Sequence, residues 1–447
     1  MIRSLLLFAV FVTFLACGFA APFIFSLGYV WVDGFRPQEV SYSILTQLPV
    51  SMIMAVAAIG GYFVLDRRAP PRPSAHLVLT LLLAVWLTLT TFWAAVPDAA
   101  WIKWDWAFKT VVFSAFAPFI FRSSIQIEAF VLIWLVALSA NILPVGAKTV
   151  LSGGGYGQAL GLVSGNSGFA EGSTLAAISV MIIPLLVFLR RHGRVIPRTT
   201  LSSIGYLGGI AVSLAAAVGT FERTALIGAA VMGGHMWWHT RRKLMFAVVA
   251  AAAIMAVGAI TSQRWVERMS TVRTFDTESS ALGRILVWKW TLDYAMHHPF
   301  GGGFEVYRID HVEFPPETEG GQPRPRTGIA FHSVYFELLG EQGWIGLFLF
   351  VCLIANSIRY LNTVAKITKN KTNMLWARDF SYAIQGSLLT LMACSAFIGI
   401  AFQPMFYYLF AVSFSLREYV RRATNGQPTG GRALRAARAV SPLTAHV

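Results

Sequence analysis

Apolar stretches close to twenty residues long recur along this chain, and they restrict its fold before any motif is read. A stretch of that length crosses the ~30 Å hydrocarbon core as a helix, and inside a bilayer each backbone N–H and C=O must be satisfied within the protein. We read about twelve spans, at residues 4–30, 45–65, 75–95, 107–121, 127–146, 172–189, 201–219, 225–239, 244–262, 333–357, 380–399 and 402–416. Only 13% of the 447 residues are charged and 56% are hydrophobic, whereas a soluble domain carries about 25% charged residues. The expected fold class is all-α: a polytopic integral membrane protein of about 12 transmembrane helices. The N-terminus resembles a secretion signal, with Arg3 before an apolar run, but the run continues past Pro22 to Val32. It is therefore predicted to be a retained first segment, kinked or partly re-entrant at Pro22.

Orientation follows from where the basic residues fall. Arg67, Arg68 and Arg72, then Arg122, then Arg190, Arg191, Arg194 and Arg198, then Arg241, Arg242 and Lys243 occupy every second loop. Arg359, Lys366, Lys369, Lys371 and Arg378 continue the series, as does the tail from Arg417 to Arg438. This positive-inside pattern places both termini and these loops in the cytoplasm. The net charge of +15 then faces anionic membrane lipids, and nucleic acid is not needed as a partner. Cys17, Cys352 and Cys394 lie in apolar segments without metal-ligand spacing and read as small core residues.

The chain divides into an N-terminal transmembrane region (1–200), a core (201–357) containing an outer loop at 263–331, C-terminal helices (358–416) and a basic tail (417–447) predicted to be disordered. A loop as long as 263–331 is usually functional. Its first half, with Leu282, Ile285, Leu286, Trp290, Leu292 and Ala295 at helical spacing, predicts a helix lying along the membrane surface. Its second half, "EFPPETEGGQPRPRTG", predicts a mobile lid.

Several ionisable residues fall on the outer side. Arg223 sits in a short turn between two apolar spans, the wrong face for an incidental arginine, although it also suits an interfacial anchor. Arg284 lies on the surface helix one turn before Trp288, and His332 begins the tenth span. Arginine offers a permanently charged fork that suits phosphate oxygens, and histidine accepts a proton near neutral pH. A site built from Arg223, Arg284 and His332 is therefore suited to hold a lipid-linked phosphate and activate a hydroxyl against it. Glu337 and Glu341 stand one turn apart in apolar surroundings, so either one titrates upward or both pair with arginines. His298 is a supporting candidate and also a natural stop for the surface helix. His235 and His239 share a helix face, yet without carboxylate partners they read as an inner-interface anchor. "LSGGGYGQ" lacks the Lys-Ser/Thr of a phosphate loop and reads as an outer turn. No metal and no cofactor is expected.

"GRILVWKWTLDYAMHHPFGGGF" followed by "FHSVYFELLGEQGWIGLFLF" resembles the signature of the O-antigen ligase/polymerase superfamily. The matching positions are Gly283-Arg284, His298-Pro299, Gly301, Gly303, His332, Ser333, Tyr335, Glu337 and Gly340-Glu341. "LSGGGYG", "RWVERMSTVRTF" and "ESSALGR" further resemble the exosortase A-associated O-glycosylation ligases. The resemblance implies a GT-C-like bacterial inner-membrane glycosyltransferase working on the periplasmic face. It would take a glycan from undecaprenyl pyrophosphate and pass it, with inversion and without a metal, to a hydroxyl of a glycoprotein or of lipid A-core. It further implies that Arg223 and Arg284 bind the pyrophosphate, that His332 positions or deprotonates the acceptor, and that His298, Tyr335, Glu337 and Glu341 support them. Relatives have a small polar residue where this chain has Glu222, which bears on Arg223 if the two pair. A repeat-unit polymerase shares the same donor site. A bicarbonate-like transporter is the alternative of another class, disfavoured because the chain has no half-repeats and its charges cluster at the surface. A scaffold subunit that docks through the outer loop is a third.

Overall fold

The computed structural model describes residues 2–42, 44–66, 71–152, 171–260, 279–314 and 324–427. These form an all-α polytopic membrane protein. Among the described residues, seven helices are long and apolar enough to cross a bilayer, and Phe23–Phe35, Val50–Asp66 and Lys243–Ala252 are shorter apolar helices.

Each predicted span has a helical counterpart. The first is two helices, α1 (Ile2–Ala20) and α2 (Phe23–Phe35), parted at Pro22, which has no N–H to continue the ladder. α3 (Val50–Gly61) ends in a wider π turn. α4 (Ala75–Phe92) starts on Ser74, whose hydroxyl accepts from Leu77 N–H. α5 (Pro97–Ile120) begins well before the predicted residue 107, because Lys103, Asp105 and Lys109 lower the local hydropathy without interrupting the helix. α6 (Ser124–Leu151) carries a capping box between Ser123 and Gln126. The predicted span at 172–189 is two helices, α7 (Gly172–Met181) and α8 (Ile183–His192), divided just before Pro184. Then come α9 (Thr200–Gly219), α10 (Arg223–His239), α11 (Lys243–Ile260), α12 (Ser279–His297), α13 (Val334–Thr368), α14 (Leu375–Cys394) and α15 (Pro404–Thr424).

α15 fills the centre, with residues 404–416 all buried. Two polar contacts key it to its neighbours: Tyr408 donates to Asp33 Oδ2 at 2.5 Å, and Ser114 Oγ donates to the Tyr407 carbonyl at 2.8 Å. Phe350 of α13 packs edge-on against Phe406 and Phe410. Leu5, Leu201, Leu244 and Val248 point outward, which suits a lipid-facing coat. Of the three cysteines only Cys394 is fully buried; Cys17 is exposed on α1, contrary to its reading as a core residue.

Basic loops meet at one end of the bundle. Arg422 donates to the Arg122 carbonyl at 2.6 Å, Glu128 Oε1 accepts the N–H of Val195 at 2.8 Å, and His192 lies 2.9 Å from Asp379.

At the opposite end, glycines lock the outer loop to α13. Gly343 (φ 65°, ψ −167°) interrupts α13, freeing the carbonyls before it. The Gly302 N–H donates to Gly340 O at 3.0 Å and the Gly303 N–H to Glu341 O at 2.9 Å, while the Trp344 N–H returns to Pro299 O at 3.0 Å. Gly301 and Gly303 take φ of 79° and 76°, and a side chain at Gly301 would lie 2.5 Å from Glu341 O. Gly343→Ala is therefore expected to destabilise the protein by about 2 kcal/mol or more, from positive φ plus collision with the Pro299 carbonyl. Thermal unfolding in detergent measures it.

The helix forms where the spacing predicts one. Gly283, Val287, Thr291 and Ala295 are buried, whereas Ile285 and Leu292 are exposed. The small-residue face lets α12 approach α13 closely, Trp288 and Trp290 pack at its flanks, and Ile285 and Leu292 turn away from the protein. Beyond α12, Val312–Phe314 pairs antiparallel with Arg324–Arg326. Of the lid predicted at 313–328, both ends are thus paired strands and residues 315–323 lie outside the described residues; of the tail predicted to be disordered from 417, residues up to Thr424 are helical and those from 428 lie outside, as do Gly153–Gly155 and residues 261–278.

Candidate active site

The glycine lock brings Glu305, Glu337 and Glu341 around one ammonium group. Lys103 Nζ stands 2.7 Å from Glu337 Oε1, 2.8 Å from Glu341 Oε1 and 3.7 Å from Glu305 Oε1. Of the two alternatives for the helix carboxylates, pairing with arginines is not what forms: their shared partner is a lysine from α5. Glu341 is fully buried, and its Oε1 also accepts the Glu305 N–H at 2.9 Å. Glu337 Oε2 accepts the Ala401 N–H at 2.9 Å, tying α13 to the segment leading into α15. Arg308 and Tyr307 hold the other oxygen of Glu305. Burial in such a network demands paired charges and satisfied oxygens, and most of that demand is met.

His332 sits just above this hub, half-buried, with φ 47°. A left-handed non-glycine residue costs on the order of 1 kcal/mol or more and persists where its surroundings hold it. The surroundings are visible. Trp288 Nε1 donates to the Phe331 carbonyl at 2.8 Å, and its ring stacks on Phe336 at 4.9 Å. Asp310, fully buried, accepts the N–H groups of Gly328 and Ile329 at 2.6 and 3.0 Å and so fixes the segment that leads in. On the far side Gly399 is close: a side chain there would lie 3.4 Å from Glu337 Oε2 and 3.9 Å from the His332 backbone nitrogen.

Arg284 lies one helical turn before Trp288 and is within electrostatic reach of His332. Burial first, and then the Arg284 guanidinium, hold the imidazole below its ordinary pKa; Glu222 acts in the opposite sense. Arg284 Nε is buried without a hydrogen-bond partner among the described residues. Glu222 accepts from Ser173 Oγ at 3.0 Å, and Glu171 accepts from Thr174 Oγ1 at 2.8 Å, both at the start of α7. Burial above all pushes the Glu171 carboxyl up, and Glu222 and Glu337 act in the same direction against Thr174 and Arg284.

The sequence-derived candidates thus divide. Arg284, His332 and Glu222 come together, and Arg223, half-buried, opens α10 directly after Glu222. Tyr335 is a strut: its hydroxyl donates to the Met392 carbonyl on α14 at 3.1 Å. Glu337 and Glu341 belong to the lysine hub. His298 is exposed and stacks on Tyr294 at 4.2 Å, with its backbone N–H closing α12 onto the Tyr294 carbonyl. Reading the sequence missed Lys103, Glu305, Glu171 and Ser173. Lys103 carried a signal, since it is a lysine on the face that positive-inside counting leaves nearly free of them.

These features define a polytopic membrane protein with a cluster of buried ionisable groups at one end of the bundle, beneath a loop locked onto a broken helix. Residues 208–351, which include that loop and break, match the family model described as O-antigen ligase; residues 2–194 match a family of unknown function (DUF5935). Through the first match the chain carries a domain of the O-antigen ligase/polymerase superfamily at 208–351, and it is a glycan-handling membrane enzyme of ligase or polymerase type. No curated protein matches it.

Proposed function

We propose that the protein is a bacterial inner-membrane glycan ligase. It takes an oligo- or polysaccharide from undecaprenyl pyrophosphate on the periplasmic face and transfers it, with inversion, to a hydroxyl of a protein Ser, Thr or Tyr or of lipid A-core. Both termini would be cytoplasmic. The observation that carries this reading is Arg284, whose buried Nε has no partner among the described residues, beside the half-buried His332. A buried donor without a partner calls for an oxygen from elsewhere.

The acceptor oxygen attacks the anomeric carbon as the bond from that carbon to the pyrophosphate oxygen breaks. His332 takes the hydroxyl proton, and the electron pair of the broken bond leaves on undecaprenyl pyrophosphate. Arg284, with Arg223 from the neighbouring helix start, stabilises the growing phosphate charge, the function a divalent ion serves in other transferases. Pyrophosphate is a good leaving group, so alignment and charge stabilisation contribute more than covalent catalysis. Glu171 and Glu222 are placed to accept hydrogen bonds from sugar hydroxyls.

A base must be neutral to work, and its contribution is lost as pH falls through its pKa. Because His332 is held below its ordinary value, kcat/KM for transfer at pH ~6.5, where a free histidine is half protonated, is expected to stand above half its plateau. The acid limb should fall only at lower pH. Glu222→Gln removes the neighbour that raises the imidazole pKa and should move that limb lower still. The assay uses purified protein, an undecaprenyl-pyrophosphate-linked glycan and a hydroxyl acceptor, with the anomeric configuration read by NMR. Retention of configuration, or growth of the lipid-linked chain in place of acceptor glycosylation, sinks the ligase assignment.

A further inference from the structure

The end of the bundle opposite this site holds a cavity of about 910 Å³ between α8, α10, α11 and α14. Arg191 closes α8, Arg241 and Arg242 form the link between α10 and α11, and Lys369 follows α13; all four line the cavity and are exposed. Among the described residues no carboxylate pairs with any of them. The acid on the wall, Asp379, is already engaged by Arg378 at 2.8 Å and His192 at 2.9 Å. Unpaired cations around one concavity attract a multiply charged anion, and the planar arginine forks select phosphate oxygens.

The surroundings indicate where that phosphate comes from. Trp238 and Met245 line the cavity and are 80% and 49% exposed, and Leu244, Val248 and Val249 continue an exposed apolar wall down α11. An indole beside such a wall is the pattern of a protein surface at headgroup level. A soluble phosphate would use the cations and leave the wall uncovered, whereas a phospholipid uses both. We propose that this cavity is a binding site for an anionic phospholipid of the adjacent leaflet, with the headgroup phosphates on Arg191, Arg241, Arg242 and Lys369 and the acyl chains along α11. Four cations suit a headgroup with two phosphates, such as cardiolipin. His235 and His239 are then part of the wall: His235 Nε2 lies 3.0 Å from the Tyr382 carbonyl and His239 packs on the Tyr382 ring at 4.1 Å.

The test uses the full chain in nanodiscs of phosphatidylcholine with a minority of cardiolipin, followed by release into detergent and native mass spectrometry. Wild type is expected to retain cardiolipin at least about tenfold over the triple variant Arg191→Gln, Arg241→Gln, Arg242→Gln, given the attraction of each basic residue for anionic lipid. The triple arginine-to-lysine variant keeps the charge and should retain most of the lipid. Arg72→Gln with Lys371→Gln, which removes charge outside the cavity, should behave as wild type. Equal retention by wild type and the glutamine variant overturns the site. Calorimetric binding of inorganic phosphate without retention of cardiolipin overturns the lipid assignment.

Discussion

Lys103→Met is expected to lower stability by ~3–5 kcal/mol, the cost of removing one partner from a buried charge network. Methionine fills a similar volume, so the loss is electrostatic: Glu305, Glu337 and Glu341 would face one another with their shared cation gone. The damage should be local before it is global. Glu341 holds the Glu305 N–H and Glu337 holds the Ala401 N–H, so the outer loop and the entry to α15 loosen together. Hydrogen exchange should rise first around residues 300–305 and 398–403, ahead of the basic end. Combining Lys103→Met with Glu337→Gln and Glu341→Gln should restore part of the lost stability, since neutral amides remove the repulsion. If the single variant melts like wild type, the hub is ornamental.

Loss of transfer without loss of folding is the second large effect. His332→Ala removes the proposed base, and general-base contributions of ~10²–10⁴-fold set the expected fall in kcat. Arg284→Ala removes the donor proposed to face the developing charge, worth on the order of 3 kcal/mol, or about a hundredfold. Arg284→Lys keeps the charge but loses the fork and should recover only part of the rate. Membrane insertion and melting should stay close to wild type for His332→Ala, because relief of its left-handed backbone is not required and its ring is half exposed. Wild-type transfer rates from both alanine variants would end the assignment.

Much of the architecture was legible because a bilayer enforces it. Every apolar run became a helix, and Pro22 parted the first run where its missing N–H required. Arg284 and His332 were legible as candidates because their chemistry is unusual beside apolar spans. What could not be read were partners distant in sequence. Lys103 and Glu337 are 234 residues apart, and nothing local to either announces the other. The glutamates therefore looked like candidates for arginine pairing, when a lysine from α5 was the nearer cation. On α12, helical periodicity picks out Ala295 and large apolar side chains, while the buried positions also include Gly283, against Phe314, and Thr291, against Gly340 of α13.

The interlock between the Gly301–Gly303 turn and the break at Gly343 also constrains how the protein can be re-engineered. A loop grafted from a relative would arrive with its donors spaced for that relative's own socket, and the carbonyls of Gly340 and Glu341 accept only a turn of matching geometry. Chimeras meant to swap acceptor preference should therefore exchange the turn and the helix break as one cassette, with Ala95 and Trp93 on the receiving surface checked for fit.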